Sequence, residues 1–170
     1  MTKLRFFILV MSAVLLASCN DKGLNLTDGD KQITPQIDDA ISHYIVKKYA
    51  TSYYGTEKQF EVHKVYGTSE KDGILSVYMW SYYGGFNQAN GLEAQSGHSL
   101  PALIRLKQEG DAYSVIDYTE PQDGSMYQSS LEKMFPAKYV KSARRDNGNI
   151  GGLEKKMDKK VKAWLEKPDS

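Results

Sequence analysis

The residues best suited to acid–base chemistry in this sequence are a glutamate and a histidine two positions apart. Glu61 and His63 alternate with the apolar residues Phe60 and Val62, a pattern typical of a β-strand. Side chains two positions apart in a strand point to the same face, so the carboxylate could orient the imidazole for proton transfer. The alternative is a structural pair on a half-exposed face of a sheet.

The other two histidines offer weaker chemistry. His43 follows Asp39 by four residues on a predicted helix, where a solvated side-chain pair is expected. His98 lies between Ser96 and Ser99, but a serine hydrolase also needs an acidic partner and an oxyanion hole, and the nucleophile elbow common in such enzymes is absent. Metal-ligand spacing and a phosphate-binding glycine loop are also missing from the sequence. The sequence therefore predicts no catalytic residue, no metal and no cofactor.

A group of aromatic residues leads into the longest predicted connection, residues 84–99. These sixteen residues are rich in Gly, Asn and Ser, and loops of this length are usually functional or disordered. Aromatic rings on an adaptable backbone suit recognition surfaces, although core packing is the alternative because aromatic residues favour strands. The candidate ligand- or partner-binding residues are Trp80, Tyr82, Tyr83, Phe86 and His98.

The single cysteine of the sequence, Cys19, ends a segment typical of secretory signal peptides. Lys3 and Arg5 make its start positive, and residues 6–17 are apolar except for Ser12. This run is too short to cross a hydrocarbon core of about 30 Å, which takes roughly 20 apolar residues.

The last four residues of that segment, Leu16-Ala17-Ser18-Cys19, resemble the lipobox of bacterial lipoproteins. The resemblance implies that residues 1–18 are a signal peptide and that Cys19 carries a diacylglyceryl group after cleavage. Two acyl chains, such as palmitate, anchor a protein stably where one binds only marginally. We therefore expect a lipid anchor on the outer, extracytoplasmic face of the cell membrane. The alternative is an ordinary secretion signal with an incidental cysteine.

The charge of the chain argues against a nucleic-acid partner. Removal of residues 1–18 leaves 20 basic and 21 acidic side chains, a formal net charge of −1, whereas nucleic-acid-binding domains show a basic excess. Because Cys19 has no second cysteine to pair with, the mature chain must be stabilised by its hydrophobic core.

The elements that position these residues begin with a helix. Residues 19–34 are polar and without periodicity, which predicts a flexible tether. Thr34 and Pro35 open a helical pattern that ends near Gly55. Four strands follow, at residues 59–68, 74–83, 100–108 and 112–119. Residues 35–140 are thus predicted to form an α+β domain. Its long N-terminal helix packs on a four-stranded antiparallel meander, the element order of cystatin-like and NTF2-like folds.

Two further helices are predicted after the strands, at about 127–135 and 153–166. Residues 144–152 between them are polar and Gly-rich, so residues 141–170 are predicted to form a linker and an amphipathic terminal helix. Five lysines lie opposite the apolar stripe of that helix, which could dock on the domain's own sheet or on anionic lipid.

Several short motifs in order resemble one known family over residues 38–136. They are Glu61-Val62-His63-Lys64, Val77-Tyr78-Met79, Ser96-Gly97-His98-Ser99-Leu100-Pro101, Glu120-Pro121-Gln122-Asp123-Gly124-Ser125-Met126-Tyr127 and Met134-Phe135-Pro136. They are similar to the extracytoplasmic C-terminal domain of some BlaR-type antirepressor metallopeptidases and to related stand-alone exported proteins of Gram-positive bacteria. The resemblance implies a non-catalytic module. The zinc-binding His-Glu-x-x-His of the peptidase is absent, and Ser130 and Lys133 match a Ser-x-x-Lys motif without its partner motifs.

The sequence thus supports three hypotheses for function. The first is a lipid-anchored, non-enzymatic binding or sensing module that contacts a protein or another ligand of the cell envelope. The second is a small NTF2-like enzyme that uses Glu61 and His63. The third is a structural envelope protein.

Overall fold

Five strands and four α-helices follow one another in residues 24–53 and 55–167, the part of the chain that the computed structural model describes. The predicted signal peptide and Cys19 lie outside these residues. The elements are β1 (Leu26–Asp28), α1 (Pro35–Tyr49), β2 (Lys58–Lys71), β3 (Ile74–Phe86), β4 (Ser96–Glu109), β5 (Ala112–Thr119), α2 (Tyr127–Met134), α3 (Ala137–Asp146) and α4 (Gly151–Leu165). Short 3-10 helices lie at Gln88–Asn90 and Gly124–Met126.

The strands form one antiparallel sheet in the order β1-β2-β3-β4-β5, which confirms the α+β class and the meander. The sheet has five strands, so the prediction of four was wrong. The additional strand β1 lies within the predicted tether and pairs Leu26 with Ser69 and Asp28 with Gly67. Three residues are too few to show an alternating pattern, so only the pairing with β2 identifies this strand.

The predicted hairpin turn between β2 and β3 is present. Asp72 and Gly73 have φ values of 54° and 73°, the left-handed conformation that both central residues of a type I′ turn require. The register between β2 and β3 shifts once, between Val65 and Gly67, where a β-bulge bends β2.

Helix α1 covers one face of the sheet, which we call the α1 face. Thr34 caps the helix by accepting a hydrogen bond from the backbone N–H of Ile37 (3.3 Å), and Pro35 follows at the first helical position. Ile37, Ile41 and Ile45 are buried at helical spacing and pack on the sheet. The helix ends at Tyr49, earlier than predicted.

The opposite face of the sheet is covered by the C-terminal helices, and we call it the α4 face. Three helices follow β5, where two were predicted. The additional helix, α3, extends to Asp146, into the predicted linker, and buries Tyr139, Val140 and Ala143. Its buried residues recur at helical spacing, but five charged side chains make the segment polar on average, which favoured a linker over a core helix.

Helix α4 docks on the sheet, where Leu153, Met157 and Val161 join the core of the α4 face. Two of its lysines also reach the edge of β2 that β1 leaves uncovered. Nζ of Lys156 donates to the carbonyl oxygen of His63 (3.1 Å), and Nζ of Lys160 donates to that of Glu61 (2.9 Å). These bonds satisfy acceptors on an edge that would otherwise be open to another strand.

None of the helices in residues 24–53 and 55–167 combines the length and the apolar character that crossing a membrane requires.

Candidate functional site

Glu61 and His63 point to the same face of β2, as their spacing predicts, but that face is closed. Glu61 is 1% exposed and His63 is 5% exposed, because α1 lies over both side chains. The expectation that the pair lies on a half-exposed face was therefore wrong. Nδ1 of His63 lies 3.1 Å from Oε2 of Glu61, and Nε2 lies 3.2 Å from the half-exposed carboxylate of Asp38 on α1. The imidazole therefore lies between an interior and a surface carboxylate.

Hydroxyl groups complete the surroundings of Glu61. Ser42 of α1 and Ser81 of β3 each donate to its carboxylate at 2.7 Å. Burial raises the pKa of Glu61, but the neighbouring His63 and the two hydroxyl donors outweigh that effect and hold the pKa below its ordinary value. An ionised carboxylate with both oxygens occupied is suited to hold α1 on the sheet. A general base must instead reach the proton of a substrate.

The structure separates the predicted aromatic group between the two faces of the sheet. Trp80, Tyr82 and Phe86 belong to the core of the α4 face, where Trp80 is 3% exposed and Phe86 is 1% exposed. Phe86 packs against Phe60 with ring centroids 6.0 Å apart. The indole N–H of Trp80 donates to the hydroxyl of Ser99 at 2.6 Å. This burial favours core packing over recognition for Trp80 and Phe86, and Tyr82 is half-buried against the same core.

Tyr83 and His98 lie together on the α1 face, opposite each other on β3 and β4. Their rings are nearly parallel, with centroids 5.4 Å apart. Tyr53 stacks on Tyr83, and its hydroxyl lies 2.9 Å from Nδ1 of His98. The rings of Tyr49 and His98 meet edge to face, with centroids 4.4 Å apart, and the Tyr49 hydroxyl donates to Glu120. We call these five residues the tyrosine–histidine cluster.

Two candidate residues of the cluster and the adjacent Ser96 each have a buried polar atom without a hydrogen-bond partner within the described residues. They are the hydroxyl of Tyr83, the hydroxyl of Ser96 and Nε2 of His98. Burial lowers the pKa of His98, against the opposing effect of Glu120 and Glu61, so the imidazole is neutral near pH 7. The rings enclose this imidazole on several sides. The sequence did not point to Tyr49, Tyr53 or Glu120, because helix and strand ends meet there only in the fold.

The connection between β3 and β4 is shorter than predicted. Residues 84–86 continue β3 and residues 96–99 begin β4, so the connection covers only 87–95. The glycines that favoured a loop serve close packing instead. A Cβ on Gly97 would lie 2.3 Å from the carbonyl oxygen of Tyr83, so only glycine fits at this strand contact.

An open cavity lies at the other end of β3, between the α4 face and helices α2 and α3. Its volume is about 930 Å³, within the range of ligand sites. Leu24, Ile74, Met134 and Val140 contribute apolar lining. Five cationic side chains line it as well, namely Lys71, Arg105, Lys133, Lys141 and Arg144. We call this cavity the basic groove.

The lining of the basic groove carries a net positive charge. Its five cations face only two acidic lining residues, Asp72 and Glu132, which leaves +3, whereas residues 19–170 together carry a formal net charge of −1. Arg144 pairs with Glu132 (2.7 Å) and Arg105 with Asp117, whereas Lys133 and Lys141 have no ion pair within the described residues. Neither pattern analysis nor composition indicated this groove, because its cations come from separate elements.

Within residues 24–53 and 55–167, no group of three or more His, Cys, Asp or Glu side chains could hold a metal ion. Asp39 and His43 are exposed on α1.

Comparisons with protein-family models, with curated proteins and with solved structures found no match.

Proposed function

We propose that this chain is a lipid-anchored lipoprotein on the extracytoplasmic face of the cell membrane, acting there as a non-enzymatic binding or sensing module. The observation that carries the binding role is a contrast between two sites. The Glu61–His63 pair is closed beneath α1, while the basic groove is open and large enough for a ligand. Recognition of a protein or cell-envelope ligand needs an accessible surface, and the groove offers one.

The same contrast weighs against the alternative of a small enzyme. Helix α1 followed by a meander keeps the element order of cystatin-like and NTF2-like folds. An NTF2-like enzyme that used Glu61 and His63 would need them in a concavity, and neither lines the basic groove. The resemblance to the non-catalytic domain of BlaR-type metallopeptidases supports the same proposal.

The anchor is tested by replacing Cys19 with Ala in the full chain. Without the thiol, no diacylglyceryl group can be attached, so we expect loss of lipid labelling together with unprocessed precursor or released protein. Metabolic labelling with palmitate and membrane fractionation measure both effects. A variant that is still processed and membrane-bound as before would overturn the lipoprotein assignment. Ser18→Ala, which keeps a small residue before the cut, is the matched control and should be labelled normally.

The binding role is tested by cross-linking the anchored protein in its own membrane, with photoreactive groups at Lys133 in the groove and at Lys155 on α4. A specific adduct from position 133 that is absent at 155 is expected. Equal labelling at the two positions would show that the groove is not the binding surface.

A further inference from the structure

We propose that the basic groove binds anionic phospholipid headgroups, so that the domain docks groove-first on the membrane to which it is anchored. This inference deepens the proposed function, and its anchored orientation rests on the acylation of Cys19. Three independent features of the groove favour a lipid surface as the partner that it binds.

The first feature is the position of the groove relative to the anchor. Leu24 lines the groove and is the first described residue, five residues after Cys19. Five extended residues span at most about 18 Å, so an acylated Cys19 would keep the groove within that distance of the membrane. Because β1 begins at Leu26, within the predicted tether, the folded part of the chain starts close to the anchor.

The second feature is charge complementarity. The groove lining carries +3 although the mature chain as a whole carries −1, so an anionic surface attracts this part of the domain. Exposed Lys133 and Lys141 have no ion pair within the described part of the chain and are free to meet phosphates.

The third feature is the apolar lining beside those cations. Leu24 is 37% exposed, and Ile74 and Met134 are half-buried in the same cavity. A phospholipid presents a phosphate next to glycerol and acyl carbons, so cations at the rim and apolar side chains within match both parts of the molecule. A small hydrophilic anion would have no use for the apolar lining.

The experiment uses the unacylated chain 20–170, which contains every strand and helix of the core and therefore folds without the lipid. Sedimentation with vesicles of phosphatidylcholine containing a minority of phosphatidylglycerol is compared with sedimentation with pure phosphatidylcholine. The test variant is Lys133→Gln/Lys141→Gln. The matched control is Lys155→Gln/Lys159→Gln, which removes the same charge from exposed lysines of α4.

We expect binding to the anionic vesicles only. Each groove lysine contributes roughly a fivefold gain in binding, corresponding to about 1 kcal/mol per cation near an anionic surface, so the test variant should bind about 25-fold more weakly. The control should change binding less than twofold, and both variants should keep the melting temperature of the parent chain.

Equal weakening in both variants would mean that net charge alone drives binding and would overturn the proposal. Failure of the parent chain to bind anionic vesicles would overturn it too. Binding of soluble glycerol phosphate as tight as binding of the vesicles would also overturn it, because that result would indicate a free phosphate as the ligand. None of these results depends on Cys19, so failure of the groove and failure of the anchor are distinguishable.

Discussion

The carboxylate of Glu61 lies away from water, yet its pKa stays below its ordinary value. His63, Ser42 and Ser81 stabilise the charged form by more than burial disfavours it. A carboxyl group whose pKa is lower in the folded state than in the unfolded chain contributes stability above the unfolded pKa. That contribution is lost as the pH falls from about 4.5 through the lower folded value.

Replacing Glu61 with Gln should remove this pH dependence. At pH 7 we expect a loss of about 1–3 kcal/mol in the free energy of unfolding, because the hydroxyl donors and His63 lose a charged acceptor. Below the ordinary pKa of 4.5, the difference between parent and variant should shrink, since the parent itself becomes protonated. Urea unfolding at a series of pH values measures both effects.

Asp39→Asn is the control for this prediction, since Asp39 is an exposed carboxylate on the same helix. A surface change of this kind should stay within about 0.5 kcal/mol at every pH. A Glu61 variant that keeps the pH profile of the parent would contradict the assigned role of this carboxylate in holding α1.

At the scale of elements, the β3–β4 hairpin differs most from its sequence prediction. Residues 84–86 and 96–99 are paired strand, and Phe86 fills the core of the α4 face. A single recognition loop over residues 84–99 would place core side chains in a dispensable segment. Only residues 87–95 remain as a surface connection, and their removal need not affect the core.

Replacing residues 88–93 with Asn-Gly should leave the domain folded. The two strands continue in register from Phe86 and Gln95, and Asn-Gly favours the type I′ turn that closes a two-residue hairpin. We expect a change of about 1 kcal/mol or less in the free energy of unfolding, because the connection lies on the surface. Vesicle binding should be unchanged, since the basic groove lies at the opposite end of β3.

Phe86→Ala is the contrasting variant in the same hairpin and should cost about 3–5 kcal/mol, as truncation of a buried phenylalanine usually does. Thermal unfolding compares the two. If the shortened connection destabilises the protein as much as Phe86→Ala does, the connection packs into the core and the assignment of a surface turn is wrong.

For the whole molecule, helices on both faces of one sheet define the extent of the folded unit. The predicted α+β domain ended at residue 140, with a linker and a terminal helix beyond it. In the structure, Ala143 of α3 and Leu153, Met157 and Val161 of α4 complete the core of the α4 face. The terminal helix is thus part of the fold, and its docking on the sheet agrees with one of the two alternatives that its amphipathic pattern left open.

A chain that ends at Val140 should therefore fail to fold cooperatively. Burial of Leu153, Met157 and Val161 is worth about 1.5–3 kcal/mol per side chain, or roughly 5–9 kcal/mol together. That sum is comparable to the whole stability of a typical domain, about 5–15 kcal/mol. Near-ultraviolet circular dichroism and urea unfolding should show lost tertiary packing. A chain that ends at Lys167 keeps every helix and should unfold as the parent does, whereas cooperative unfolding of the shorter chain would contradict this view of the core.

Features that depend on neighbouring residues could be predicted from the sequence. The cap and apolar stripe of α1, the Asp-Gly turn after β2, the shared face of Glu61 and His63, and the antiparallel order of the main strands all follow from local spacing. The amphipathic stripe of α4 likewise predicted a helix with one buried side. In each case the deciding interaction joins residues within a few positions of one another.

Long-range packing determines which side chains are closed from solvent and which of them meet across elements. Glu61 and His63 are buried because α1 crosses over them, and the aromatic group divides because alternate residues of β3 face opposite helices. The five cations of the basic groove come from four different elements, β2, β4, α2 and α3. Long-range packing brings them together, and no local pattern of residues carries that information.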